Sequence, residues 1–199
     1  MEELINKLRA NPDYDMEWIE QAAWFILNGA ASEKFLAAFT AAQLVRIKTI
    51  ITTPYAQLLF NPKFNSTQLT ILATCIQKNF KPEIINELAN PDIPYQAMDY
   101  IAQGFEEGLD WRKIENYTEF NPEQYFEILN GFRMGVDYVA YAATIVPAPI
   151  MHMISTGLKA GLDVKYSVDT QELLVRPKNV LQKPSSVATA QEEDKPEEK

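Results

Sequence analysis

The chain has 199 residues, 47% of them hydrophobic and 23% charged, a composition that suits one globular domain and excludes a chain disordered throughout. Its single cysteine and single histidine, Cys75 and His152, exclude an internal disulfide and a zinc site built from several thiolates. A net charge of -9 argues against the basic footprint of a nucleic-acid binder, and no charge-free apolar run reaches the roughly 18 residues of a membrane span.

In chain order, the opening MEELINKLRANPDYD lacks the basic-then-apolar layout of a signal peptide, so a cytoplasmic protein is expected. A helix at 2–9 would cap the start. Long helices are then predicted at 16–28, 41–52, 66–78, 94–107, 122–134 and 148–160, with shorter ones between them. Two motifs mark these spans. The first, F-[NT]-x-x-Q, occurs at Phe39 to Gln43, Phe64 to Gln68 and Phe120 to Gln124. It reads as a helix start: Thr40, Asn65 and Asn121 are N-caps, and the glutamine three residues on closes a capping box. The phenylalanine before each cap is placed to staple onto Leu44, Leu69 or Tyr125.

The second motif, I-x-x-G-[FL]-x-x-G-[LV]-D, runs from Ile101 to Asp110, Ile128 to Asp137 and Ile154 to Asp163, at spacings of 27 and 26. Its second glycine (Gly108, Gly135, Gly161) suits a left-handed residue ending the helix, and Asn79 holds that slot earlier. Its first glycine (Gly104, Gly131, Gly157) would let a neighbouring helix approach closely, with Ala22 and Cys75 in the same slot and Ile50 as a departure. Asp110, Asp137 and Asp163 are placed to cap short helices beginning at Trp111, Tyr138 and Val164. The period is about 26 residues through positions 15 to 168, giving six units. Asp169-Thr-Gln-Glu172 reads as a capping box for a closing helix at 170–175, and no strand pattern competes. The expected fold is all-α: a solenoid of long-helix/short-helix repeats in a domain spanning 1–176, followed by a disordered, acidic tail at 177–199.

The two motifs together resemble repeats of uncharacterised bacterial helical-repeat proteins that are often carried by mobile elements. The resemblance covers roughly residues 60 to 168 and brings no catalytic residue with it.

Side chains that suggest chemistry have simpler readings. His152 is alone, and Cys75 fills a small packing slot. Glu83 with Glu87, and Glu123 with Glu127, share helical faces as solvated charges, and each repeated aspartate stands alone rather than in a calcium loop. The glycine pairs do not form a nucleotide loop. No enzyme, cofactor or metal is therefore expected.

One pattern is left over. Residues 34–81 hold six bases (Lys34, Arg46, Lys48, Lys63, Lys78, Lys81) and no acid, whereas residues 82–127 hold eleven acids and two bases. In a solenoid this would give a basic and an acidic half. The candidate partner-binding residues are Arg46, Lys48, Lys63, Lys78, Lys81, Glu106, Glu107, Glu115, Glu119, Glu123 and Glu127. The first expectation is a scaffold that binds another protein. The alternative is an acidic decoy for a host nucleic-acid-binding protein, and head-to-tail contact between copies is a further reading.

Overall fold

A computed structural model describes residues 2–167 and 169–177. In chain order the elements are α1 (Glu2–Arg9), α2 (Met16–Leu27), α3 (Glu33–Leu36), α4 (Ala41–Ile50), α5 (Ala56–Leu59), α6 (Ser66–Gln77), α7 (Pro82–Leu88) and α8 (Tyr95–Glu107). A 3-10 turn, η1 (Trp111–Lys113), then leads to α9 (Pro122–Met134), α10 (Ala148–Lys159) and an antiparallel hairpin of β1 (Leu162–Ser167) and β2 (Glu172–Pro177). The protein is mostly helical. Each long helix packs on the next in sequence, from α2 on α4 through α9 on α10, and α10 carries β1.

Local chemistry accounts for the long helices. Thr40, Asn65 and Asn121 each accept from the backbone N–H three residues on, while the side chains of Gln43, Gln68 and Gln124 accept from the cap's own N–H, so all three capping boxes form. Phe39, Phe64 and Phe120 are buried as staples, Phe120 meeting the Tyr125 ring edge-on at 5.7 Å. Five of the six long helices end where a left-handed residue breaks the pattern: Gly29, Asn79, Gly108, Gly135 and Gly161 all have positive φ. Beyond Gly108 the chain turns back so that the Leu109 N–H reaches the Gly104 carbonyl at 2.8 Å.

That bond also sets the register of the other units. The same contact runs from Phe80 to Cys75, from Val136 to Gly131 and from Ala30 to Phe25. In α2 the slot of the first glycine therefore belongs to Phe25, not Ala22. At Ile50 the departure is absorbed by shortening: α4 stops at that fully buried residue. The glycines themselves serve a purpose other than helix–helix approach. A methyl on Gly104 would stand 2.1 Å from the Trp111 indole nitrogen, and one on Gly131 would stand 1.7 Å from the Tyr141 hydroxyl. Each ring belongs to the return segment of the same unit and lies across its own helix. The Trp111 indole donates to the Ile101 carbonyl at 3.0 Å, and Tyr141 donates to the Glu127 carbonyl at 3.3 Å.

The C-terminal part departs from the expected pattern. Asp110 caps only the single turn η1, the segment after Asp137 forms turns, and Val164 lies in β1 rather than a helix. The closing helix expected at 170–175 is instead strand β2, entered through a turn in which Gln171 has φ +54°. The reason is non-local: Val164 pairs with Val175 and Tyr166 with Leu173, and this ladder with β-branched and aromatic residues outweighs a local capping pattern. Pro177, assigned to the tail by sequence, ends β2. The remainder of that tail, 178–199, lies outside the described residues.

Candidate functional site

Counted from the N-cap, the third residue of four of the six long helices reaches the segment that enters the next one. Gln43 sends its side-chain N–H groups to the carbonyls of Pro62 at 3.1 Å and Phe64, Gln68 to Pro91 at 3.0 Å and Ile93 at 2.7 Å, and Gln124 to Thr144 and Val146, both at 2.8 Å. All three amides are buried, and each works at both ends: Oε1 closes the capping box and Nε2 ties down the chain entering the next long helix. In α2 the third residue is Trp18, whose indole donates to the Phe39 carbonyl at 3.0 Å. In α8 it is Ala97, and no such tie can form.

A second set of ties joins the C-terminal ends of the helices. Lys78 meets Glu106 at 2.6 Å, Arg133 holds Glu107 through two donors, and Lys159 donates to the Met134 carbonyl at 2.8 Å. The guanidinium of Arg133 holds the Glu107 carboxyl below the ordinary carboxylate range by hydrogen bonding, and Arg112 does the same for Asp110. Between the two sets, His152 Nδ1 lies 3.1 Å from Glu127.

These ties revise the reading of the charged residues. Lys78, Glu106, Glu107 and Glu127 are engaged within the chain. Lys48 lies 4.8 Å from the centre of the Trp24 ring. Lys63 precedes α6, Lys81 is the N-cap of α7, and Glu115 and Glu119 sit in the connection between η1 and α9. Only Arg46 and Glu123, of the remaining candidates, lie on long helices. The charged residues of the two stretches are thus spread over long helices, connections and internal pairs.

What the long helices do form together is a grooved face. A groove of about 400 Å³ runs between Arg46 and Val45 of α4 and Ser66, Thr67 and Thr70 of α6, with Glu17 of α2 at its margin. Next to it, between α6 and α8, lie two more of about 280 and 350 Å³. They share Ile71 and Asp99, and the first continues past Thr74 and Gln103 to the Lys78–Glu106 pair. The three are contiguous through Thr67 and Thr70. Their lining mixes threonine, glutamine and apolar side chains with the charged Glu17, Arg46, Asp99 and the Lys78–Glu106 pair. Cys75, at the floor, is buried, and desolvation pushes its thiol up to about 12. It stays a thiol near neutral pH.

Sequence reasoning found the caps and missed the second function of the glutamines. A signal was present: a capping box accepts Glu or Gln, yet all three boxes carry the amide. Among the described residues no buried side-chain nitrogen or oxygen lacks a partner, no group of three potential metal ligands occurs, and no helix is long and apolar enough to cross a membrane. Comparison with family models, curated proteins and solved structures returned no match.

Proposed function

We propose that the chain is a non-enzymatic binding scaffold of the helical-repeat type, a solenoid whose long-helix face engages another protein. The observation that carries this reading is the contiguous groove system across α4, α6 and α8. It is backed by the Gln43 tie from α4 to the segment entering α6 and by ties at both ends between α6 and α8, which hold the face in shape before any partner arrives. Quasi-one-dimensional helical folds use such surfaces for extended contacts.

An acidic decoy is the weaker reading, since Glu106, Glu107 and Glu127 already have cationic or imidazole neighbours in the chain. The test is quantitative affinity capture from the native cell with wild type, Thr67→Arg/Thr74→Arg and Glu115→Lys. Both threonines are exposed in the grooves and Glu115 lies outside them. The scaffold reading expects a partner lost only with the threonine pair. Equal retention by all three, or turnover of a small substrate by the pure protein, would remove it.

A further inference from the structure

Beyond the grooved face, the C-terminal hairpin carries a surface of its own. β2 pairs with β1 on one side, and among the described residues no strand lies beside its other edge. Natural edges are commonly guarded by charge, proline or a bulge. The centre of β2 is Leu173-Leu174-Val175, with Leu174 47% and Val175 52% exposed. Its charges, Glu172 and Arg176, flank this centre, and among the described residues neither takes part in an ion pair.

The alternation of the strand restricts what can pair there. On an open antiparallel edge, every second residue turns its N–H and C=O outward, so an identical strand must set outward-facing residues against outward-facing ones. A two-fold axis through the pairing must then pass through a residue and not between two. Centred on Leu174, the pairing sets Glu172 against Arg176 twice, Leu173 against Val175 twice, and Leu174 against itself. Centred on Val175, it sets Leu174 against Arg176 and Leu173 against Pro177, which has no N–H to give. Centred on Leu173, little of the strand is used. Only the first arrangement matches opposite charges and apolar side chains throughout.

We propose that the free edge of β2 binds a second copy of this chain, antiparallel and centred on Leu174, forming a four-stranded sheet across a two-fold axis. Val164 of β1 is buried against Gly157 of α10, and its ladder partner Val175 lies on the same face. An axis perpendicular to the sheet keeps Leu173 and Val175 of both copies on that face, in a strip between the two α10 helices. The contact is isologous and closes at two chains, giving two groove systems per assembly.

The test uses the full chain with Leu174→Cys or Val175→Cys, both at exposed sites whose variants are checked for wild-type circular dichroism. Directly opposed residues bring their Cα atoms to about 4.5–5.5 Å, within the span of a disulfide. Leu174→Cys is expected to give a disulfide-linked dimer under mild oxidation. Val175→Cys, which faces Leu173, is expected to give little. Buried Cys75 does not compete. In sedimentation equilibrium, wild type is expected to dimerise, Glu172→Arg and Arg176→Glu each to weaken association about ten-fold, and the double reversal to restore it. A monomeric wild type at millimolar concentration, equal crosslinking at both positions, or a double reversal no better than the singles would overturn the proposal.

Discussion

The joint from α6 to α8 and the joint from α8 to α9 connect helices of similar length by different means. In the first, Gln68 crosses to the Pro91 and Ile93 carbonyls while closing its own capping box. In the second, Ala97 stands where the amide would be, and the contact rests on Tyr100 stacked against Tyr125 at 6.3 Å and on the Glu107–Arg133 pair. The Tyr125 hydroxyl also donates to the Tyr117 carbonyl at 2.6 Å, within the segment that enters α9. Successive joints therefore need not use one device. What recurs is the demand that carbonyls of the entering segment be satisfied, and a buried amide meets it with two directional bonds where an apolar residue leaves it to other groups.

The largest effect is expected from Gln68→Glu. The change keeps the acceptor for the cap but sets a buried carboxylate against two carbonyl oxygens, and should cost about 3–5 kcal/mol near neutral pH. The sign of its pH dependence follows from that environment. Burial raises the carboxyl's folded pKa above its unfolded value, so the penalty is full above the folded pKa and fades as pH falls through it. Urea unfolding at pH 7.5 and 4.5 checks this; a gap from wild type that widened on acidification would contradict the assigned bonds.

Gln68→Ala should cost less, about 2–3 kcal/mol, because two neutral bonds and half a capping box are lost without burying a charge. The reverse change, Ala97→Gln, should not help: Ala97 is only 1% exposed, and overpacking there should destabilise by about 1–3 kcal/mol in thermal unfolding. A stabilised variant would mean that the α8–α9 joint has room for the missing amide. Trp18→Phe keeps most of the ring and removes one bond to Phe39, for a loss of about 1 kcal/mol.

The smallest effect belongs to Glu107→Gln. This exposed pair should contribute about 0.2–1 kcal/mol, less in high salt. Because Arg133 lowers the folded pKa of Glu107, its contribution is present above the unfolded carboxylate pKa and is lost as pH falls through the lower folded value. Wild type and variant should therefore converge in acid, as paired denaturation curves can show.

The long helices were legible because caps, staples and left-handed stops act within a few residues of themselves. Thr40 with Gln43 and Asn65 with Gln68 close their boxes whatever lies beyond the helix. The candidate site was much less legible. Sequence grouped the charges into a basic and an acidic stretch, and it did not show that Glu106, Glu107 and Glu127 find partners 25 to 28 residues away, two at helix ends and one midway between α9 and α10. The threonine-rich grooves had no motif to announce them. They are made of side chains ordinary in themselves and adjacent only after packing.

The hairpin shows where local reading stops. Asp169-Thr-Gln-Glu172 satisfies a helix-start pattern, yet Glu172–Pro177 is a strand because Leu162–Ser167 offers it a ladder and α10 a surface. Sequence alone placed the six long helices to within about two residues, and at the capping boxes and left-handed stops the bonds responsible span three to five residues and are decided before the chain packs. Tertiary structure decided which carbonyls the glutamines reach and which charges are consumed in pairs. Each of these depends on groups some twenty residues apart being brought within about 3 Å, a distance that no local pattern encodes.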